Sequence, residues 1–223
     1  MAVDQETPLR VGGVNPAMAR MGLVLVHGRG GSAADILGLG EALALPDIAT
    51  IAPEAPGRSW WPTSFLAPMG QMNPHVDRGL AAVDAAIDAL VEGGLPREKI
   101  ALAGFSQGGC LALEYAARKG GLAAVFGLSA GLVGTRDAMA GGPQPALYGF
   151  AAKAFDYDTD LSGTPVEITV HEEDPHIPLA RGQESLAVFE HLGARARLHV
   201  APGPGHGITD AGITAMRAHL NGA

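Results

Sequence analysis

The segment GFSQG at residues 104–108 constrains the fold of this chain more than any other part of its sequence. An apolar run at residues 99–103 precedes it, and residues 109–118, with a composition typical of a helix, follow it. A tight turn between a strand and a helix strains the backbone of the central Ser106 and leaves room only for glycine two positions before and after it. The segment therefore predicts a strand–turn–helix unit that exposes a serine hydroxyl at a helix N-terminus, the geometry of a nucleophile elbow.

The size and composition of the chain predict one large domain with a sizeable core. Its 223 residues are 47% hydrophobic and 17% charged, and they contain no fixed-period repeat. We expect a single domain over residues 21–223, preceded by an N-terminal extension over residues 1–20. The formal net charge is −8 and no cluster of Lys and Arg occurs, so neither nucleic acid nor an anionic membrane surface is an expected partner.

The sequence contains no segment typical of export or of a membrane span. Residues 1–20 lack an apolar stretch behind a basic start, and no apolar run approaches the roughly 18–20 residues that cross a bilayer. Cys110 is the one cysteine, so the chain has no internal disulfide. We therefore expect no stable membrane insertion and a cytoplasmic location.

Strand-like and helix-like segments alternate along the chain. This alternation predicts an α/β fold with a mostly parallel central sheet and helices on both of its faces. Ligands bind such sheets at the carboxyl ends of the strands, so the loops that follow the strands form the candidate site. The predicted strands are residues 22–27, 47–52, 99–105, 123–128, 165–171 and 195–200, and the predicted helices are residues 33–43, 74–91, 109–118, 179–192 and 210–220.

The segment of residues 132–163 is unusually long for a connection between two strands. It contains the run GGP at residues 141–143 and several aromatic residues. Connections of this length are usually functional caps or mobile loops. We expect the segment to act as a cap or lid, with Tyr148 and Phe150 as further candidates for the wall of a pocket.

A serine hydroxyl needs a base, and a group that orients the base, before it can act as a nucleophile. After Ser106 we therefore look for an acid and a histidine that each follow a strand. Asp174 is the preferred acid, because Pro175 follows it and a helix is predicted soon afterwards. By position alone Glu172 and Glu173 stay open as the acid, as does a plain solvated turn.

The stretch HEEDPH at residues 171–176 also contains residue types that bind metal ions. Its spacing matches no zinc signature, and the cysteine ligands of such signatures are missing. We therefore expect no metal site.

His206 is the preferred base. It lies in the loop PGPGHG at residues 202–207, directly after the last predicted strand, where flanking glycines leave it free to reach a neighbouring strand end. The alternative is an ordinary histidine of a surface loop. His27 ends a strand ahead of Ser106, and we expect it to shape the loop that follows.

That loop, HGRGG at residues 27–31, is the second glycine-rich element of the candidate site. Acyl transfer builds negative charge on the carbonyl oxygen, and preorganised backbone N–H groups stabilise it. One donor is expected from Gln107, the residue after the nucleophile, and the other from this loop. A phosphate-binding loop is not indicated, because no Gly-Lys-Ser/Thr follows.

These motifs resemble those of the phospholipase/carboxylesterase family of α/β-hydrolases, a group that includes acyl-protein thioesterases. The resemblance covers residues 22–220. Within that range, the segment GRSWWP at residues 57–62 is similar to a loop near the substrate in bacterial members. The matching motifs are VHGRGGS at residues 26–32, GFSQGG at 104–109, DPHIP at 174–178 and GPGH at 203–206.

The resemblance implies an α/β-hydrolase fold and a triad of Ser106, Asp174 and His206. It selects Asp174 over Glu172 and Glu173. That pair of glutamates and the length of residues 132–163 depart from the usual pattern of the family, which leaves the choice of substrate open.

The function implied by the resemblance is that of a serine carboxylesterase that hydrolyses small or medium acyl esters through an acyl-enzyme. The N–H groups of Arg29 and Gln107 would be the oxyanion donors, and no metal or organic cofactor is needed. We expect Trp60, Trp61 and Phe65 to line the substrate pocket, with ordinary core packing as the alternative. A homodimer is the assembly that the relatives suggest.

Three alternatives stay open. An acyl thioesterase or a lysophospholipase would use the same site. A non-catalytic hydrolase-fold module would bind a small ligand, although an intact apparent triad argues against it. A cysteine nucleophile, as in dienelactone-type hydrolases, would have to be Cys110, which lies about one helical turn beyond Ser106 and is better explained as a small buried hydrophobe.

Overall fold

Six parallel strands and one antiparallel edge strand form the central sheet of the protein. The computed structural model describes residues 8–221. The strands of this sheet are β1 (Leu9–Gly13), β2 (Met21–Val26), β3 (Ile48–Pro53), β4 (Ile100–Phe105), β5 (Ala124–Leu128), β8 (Pro165–Glu173) and β9 (Arg195–Pro204). Two short strands, β6 (Arg136–Asp137) and β7 (Lys153–Ala154), pair with each other in a separate sheet. The α-helices are α1 (Ala33–Ala42), α2 (Met69–Glu92), α3 (Gln107–Lys119), α4 (Leu179–His191) and α5 (Asp210–Asn221).

The strand order across the sheet is β1-β3-β2-β4-β5-β8-β9, and the predicted fold class is confirmed. Apolar side chains on one face of the sheet pack against α2, α3 and α4, and those on the other face pack against α1 and α5. The central strands β2, β4 and β5 are buried except at Phe105, the last residue of β4, as expected for a parallel sheet covered on both faces. The carboxyl ends of β2, β4, β8 and β9 therefore share one edge of the sheet, where their following loops meet.

The edge strand β1 was not predicted. It lies within residues 1–20, which the sequence analysis set apart as an extension, and it pairs with β3 from Leu9↔Pro53 to Gly13↔Ala49. Its five residues include two glycines and an arginine, and Val11 is 77% exposed, so no apolar run marks the strand. Residues 1–7 of that extension lie outside the described residues.

Helix α2 begins at Met69, five residues ahead of the predicted start at Pro74. The carboxylate of Asp137 accepts the N–H of Met69, at 3.1 Å from each of its oxygens, and so satisfies a donor at the helix N-terminus. The sequence around residue 69 contains no sign of this contact, because Asp137 is 68 positions away in the chain. Pro74 is accommodated inside the helix.

Strands β8 and β9 extend further than predicted, to Glu173 and Pro204. They run in parallel register as far as Glu173↔Pro204, with an irregularity between His171 and Glu173. The two segments that carry Asp174 and His206 thus leave the sheet side by side. Among residues 8–221, none of the helices has the length and apolar character that crossing a membrane requires.

Candidate active site

Ser106 occupies the turn between β4 and α3 in a strained conformation, with φ 54° and ψ −120°. Such a backbone costs a non-glycine residue of the order of 1–3 kcal/mol and persists only where the surroundings enforce it. Here the N–H of Ser106 donates to the carbonyl of Leu128 at 2.8 Å. A Cβ on Gly104 would lie 2.1 Å from the carbonyl oxygen of Gly108, and a Cβ on Gly108 would lie 2.2 Å from that of Val26. Close backbone approach is therefore the reason for both glycines.

Three side chains from three loops form a continuous hydrogen-bonded chain. Oγ of Ser106 lies 2.8 Å from Nε2 of His206, and Nδ1 of His206 lies 2.8 Å and 3.0 Å from the carboxylate oxygens of Asp174. A Cβ on Gly205 would lie 2.4 Å from the ring of His171. The glycine beside His206 therefore allows this close packing, in addition to the backbone freedom expected from the sequence.

Asp174 is 1% exposed and is held as a carboxylate. Burial by itself would raise its pKa. Hydrogen bonds from His206 and from the backbone N–H groups of Ile177 and His176 outweigh this effect, and they hold the pKa of Asp174 below its usual value. The buried anion is therefore placed to orient the imidazole and to stabilise its protonated form.

The other two candidate acids, Glu172 and Glu173, do not contact His206. Glu172 and Glu173 are both exposed, and the carboxylate of Glu172 accepts the N–H of Gly203 at 2.9 Å. Glu172 thus ties the end of β8 to the end of β9, just before His206. Of the three acidic side chains, Asp174 is the one that contacts the imidazole.

The ring of His27 holds the loop of residues 27–31 through two hydrogen bonds. Its Nδ1 lies 2.8 Å from the Gly28 carbonyl, and its Nε2 accepts the N–H of Ala55 at 3.1 Å, which requires a neutral ring with the proton on Nδ1. Burial, the largest influence on His27, lowers its pKa and favours this neutral form. The arrangement agrees with the expectation that His27 shapes this loop.

The loop itself is held by its neighbours. The N–H of Gly30 donates to the carbonyl of Arg58 at 2.8 Å, and the guanidinium of Arg29 donates to the carbonyls of Pro62, at 3.1 Å, and Thr63. Within residues 8–221, no protein acceptor is paired with the backbone N–H of Arg29. This N–H, in the loop after β2, therefore remains available to a ligand.

Gln107 is the first residue of α3, so its backbone N–H has no partner within the helix. Its buried side chain binds the loop of residues 59–61 through Trp60 and Trp61. The helix N-terminus, with its partial positive charge, thus lies next to Ser106.

A cavity of about 590 Å³ opens beside Ser106 and His206. Its wall is largely apolar and comes from the loop after β3, from α3, from the acid loop and from residues 148 and 150. The lining residues are Arg29, Trp61, Ser64, Phe65, Leu66, Phe105, Ser106, Gln107, Cys110, Tyr148, Phe150, Pro175, His176, Ile177 and His206.

The aromatic residues expected to line the pocket divide into two groups. Trp61 and Phe65 line the cavity, as do Tyr148 and Phe150. Trp60 does not line it, because its indole packs against His27, with ring centroids 5.2 Å apart, and donates from Nε1 to the His27 carbonyl at 2.9 Å. Trp60 therefore supports the glycine-rich loop, and Trp61 is the tryptophan that lines the cavity.

Residues beside the predicted acid were not predicted as parts of the wall. His176 and Ile177 line the cavity, and the ring of His176 meets the ring of His206 edge-on, with centroids 4.8 Å apart. In the sequence, only their proximity to Asp174 could have indicated that they line the cavity. Within the described part of the chain, no three His, Cys, Asp or Glu side chains are grouped to hold a metal ion.

Cys110 lines the floor of the cavity but is 1% exposed. Burial raises its pKa to about 12, so the group is a thiol at neutral pH. A thiol is a far weaker nucleophile than a thiolate. These properties favour the interpretation of Cys110 as a small buried hydrophobe.

The fold and the site define the class of protein. A mostly parallel sheet, a strained serine between a central strand and a helix, and loops that gather at the carboxyl edge of the sheet are the features of the α/β-hydrolase fold. The model of the phospholipase/carboxylesterase family matches residues 15–141, and the chain belongs to this family of hydrolases.

Solved structures agree with this assignment. A phospholipase/carboxylesterase from Dyadobacter fermentans is 35% identical, with 96% of each chain covered and a TM-score of 0.82. The esterase PE8 is 26% identical, with 97% of each chain covered and a TM-score of 0.72. A carboxylesterase from Bacillus cereus shares the fold at 15% identity, with a TM-score of 0.73 over 98% of this chain and 95% of that one. No functionally curated protein matches the chain in sequence.

Proposed function

We propose that the protein is a serine carboxylesterase that hydrolyses small or medium acyl esters. One observation carries the proposal: the hydroxyl of Ser106, the imidazole of His206 and the carboxylate of Asp174 are joined by hydrogen bonds of 2.8 Å at the mouth of a largely apolar cavity. A base within hydrogen-bond reach of the serine, itself oriented by an acid, is the arrangement that activates a hydroxyl nucleophile.

In the first half of the reaction, Nε2 of His206 takes the proton of the Ser106 hydroxyl while Oγ attacks the ester carbonyl. The carbonyl oxygen becomes an oxyanion in a tetrahedral intermediate. His206 then gives its proton to the leaving alcohol, the bond to the alcohol breaks, and an acyl-enzyme on Ser106 results. Asp174 accepts the Nδ1 proton in hydrogen bonding and stabilises the imidazolium throughout.

In the second half, His206 takes a proton from a water molecule, whose oxygen attacks the acyl carbonyl. The second tetrahedral intermediate collapses as His206 returns the proton to Oγ of Ser106, which frees the carboxylic acid. All groups involved come from the protein and the two substrates, so no cofactor enters the scheme.

The backbone N–H groups of Arg29 and Gln107 are the proposed oxyanion donors. Gln107 supplies the first N–H of α3, where the helix dipole favours an anion. Arg29 lies in the glycine-rich loop after β2, and both residues line the cavity that contains Ser106. Each such donor is worth about 10²–10³ in kcat in enzymes of this kind.

The apolar wall of the cavity is the proposed binding site for the acyl group. Trp61 and Phe65 supply aromatic area beside the nucleophile, and Trp60 acts on substrate only through the position of the 59–61 loop. Acyl thioesters and lysophospholipids present the same carbonyl to the serine, so they are included among the substrates to be compared.

The test combines active-site labelling with turnover. A fluorophosphonate probe should label the wild-type protein and not Ser106→Ala, and hydrolysis of a short p-nitrophenyl ester should fall by more than about 10⁴-fold in that variant. Ser162→Ala, a change at an exposed serine, is the matched control and should behave as wild type. Failure of the wild-type protein to label or to turn over any ester would favour the non-catalytic binding module and contradict the proposal.

A further inference from the structure

The turn of residues 144–150, within the long segment between β5 and β8, contributes two aromatic side chains to the cavity. Its ends pair with each other, since the N–H of Gln144 donates to the carbonyl of Phe150 at 3.0 Å and the N–H of Gly149 donates back to the Gln144 carbonyl at 2.9 Å. Tyr148 adopts a left-handed conformation in this turn, with φ 55° and ψ 32°. This backbone is unfavourable for a residue with a Cβ, so the fold places a tyrosine here against its conformational preference.

The side chain of Tyr148 joins this turn to the acid loop. Its ring lines the cavity, and its hydroxyl donates a hydrogen bond to the backbone carbonyl of Asp174, the residue whose carboxylate orients His206. Burial, together with the nearby Asp174 charge, raises the pKa of Tyr148, so the hydroxyl keeps the proton that this bond needs.

The remainder of residues 132–163 is anchored away from the cavity. Asp137 binds the start of α2, and the buried ammonium of Lys153 donates to the carbonyl of Ala67. Tyr157 donates to the fully buried carboxylate of Glu114 on α3 at 2.9 Å. These contacts fix the base of the segment.

The turn itself has fewer attachments. Its Leu147 is buried, and within residues 8–221 the Tyr148 hydroxyl makes the one hydrogen bond between residues 144–150 and the body of the protein. A single polar contact therefore holds the side chain of Tyr148, and the residue as a whole remains 47% exposed.

We propose that Tyr148 is a specificity-determining residue of this site, an inference that rests on the proposed esterase function. Its ring limits the size of the substrate group that fits beside Ser106. Its hydroxyl, bonded to the Asp174 carbonyl, keeps the ring in that position. An aromatic ring whose hydroxyl is hydrogen-bonded has few alternative conformations, so it cannot move aside for a larger substrate group. A free aliphatic side chain could adopt other rotamers and make room.

The experiment compares kcat and KM for p-nitrophenyl esters of graded acyl length in wild type, Tyr148→Ala and Tyr148→Phe. Tyr148→Ala should shift the preference between the longest and the shortest ester by about 10-fold toward the longest, the effect of burying one or two additional methylene groups. Tyr148→Phe keeps the ring and loses the tether, so it should raise KM about threefold for the short esters, with kcat nearly unchanged, as expected for the loss of one hydrogen bond.

Tyr157→Phe is the matched control, because it removes a tyrosine hydroxyl from the same segment at a site outside the cavity. It should lower stability and leave the chain-length profile unchanged. The inference is overturned if Tyr148→Ala keeps the wild-type profile, or if Tyr157→Phe shifts the profile equally. Absence of ester hydrolysis in the wild-type protein would instead overturn the proposed function, so the two failures are distinguishable.

Discussion

The backbone N–H of Trp60 donates a hydrogen bond of 2.8 Å to the side-chain oxygen of Gln107. The same side chain donates from Nε2 to the carbonyl of Trp61, also at 2.8 Å. Gln107 thus has two roles. Its backbone N–H is a proposed oxyanion donor, and its side chain fixes the loop that brings Trp61 to the cavity wall.

Replacing Gln107 by alanine keeps the backbone N–H and removes the side-chain bonds to Trp60 and Trp61, together with a longer one, 3.4 Å, from the Ser59 hydroxyl. We expect kcat/KM for a short p-nitrophenyl ester to fall about 10-fold, mainly through KM, because the 59–61 loop loses two buried hydrogen bonds and no longer holds Trp61 in place. Steady-state kinetics measure the effect. Ser59→Ala is the control: it removes a hydroxyl that lies 2.7 Å from the Trp61 carbonyl and 3.4 Å from Gln107 Oε1, but it keeps the bonds of Gln107 to Trp60 and Trp61. Its expected change is below about threefold. Equal losses in the two variants would contradict this role of Gln107.

Gly108→Ala should prevent the native elbow from forming. The added Cβ would lie 2.2 Å from the Val26 carbonyl oxygen, and the backbone of a central strand cannot move aside in a close-packed sheet. We expect the free energy of unfolding, measured by urea titration, to fall by at least about 3 kcal/mol.

Gly38→Ala is the matched helix substitution for that experiment. Gly38 is exposed in the interior of α1, and a Cβ there would meet nothing within 4 Å. Alanine has the higher helix propensity, so this variant should gain about 0.5–1 kcal/mol. A comparable loss in both variants would mean that the clash at Gly108 is not the cause.

Much of the site could be predicted because its signals are local. The elbow glycines, the loop HGRGG and the loop that carries His206 each follow a strand within a few residues, and a parallel sheet brings strand ends to one edge. Position alone could not single out Asp174, since Glu172 and Glu173 directly precede it at the end of β8. What distinguishes it is burial together with two backbone N–H donors, neither of which a single sequence displays.

The features that escaped prediction depend on contacts between distant parts of the chain. The start of α2 is set by Asp137, and the position of Trp60 is set by His27, 33 residues away. The short strand β1 forms because β3 offers it an edge, although its own residues are mostly exposed. The tether from Tyr148 to Asp174 likewise has no counterpart in local sequence.

The lowered pKa of Asp174 predicts a pH dependence of stability. A carboxyl whose pKa is lower in the folded state stabilises the fold fully above its unfolded-state pKa, about 3.9, and loses that contribution as pH falls through the lower folded-state value. Asp174→Asn lacks this contribution. The difference in unfolding free energy between wild type and Asp174→Asn should therefore have the full carboxylate contribution at about pH 5 and should shrink below about pH 4.

Urea titrations at several pH values measure that difference. Asp88→Asn, a change at an exposed carboxylate of α2, is the control, and its difference from wild type should stay small throughout. A difference for Asp174→Asn that grows as the pH falls would contradict the sign of the shift.

The thiol of Cys110 should be inert in the folded protein. Burial raises its pKa to about 12, so iodoacetamide at about pH 8 meets a protonated and inaccessible sulfur, and alkylation followed by mass spectrometry should show modification only after unfolding in urea. Cys110→Ala should keep kcat/KM within about threefold, because it removes one small side chain from the cavity floor and leaves Ser106 and His206 in contact. A cysteine nucleophile would require the opposite result, with rapid alkylation of the native protein and a parallel loss of esterase activity.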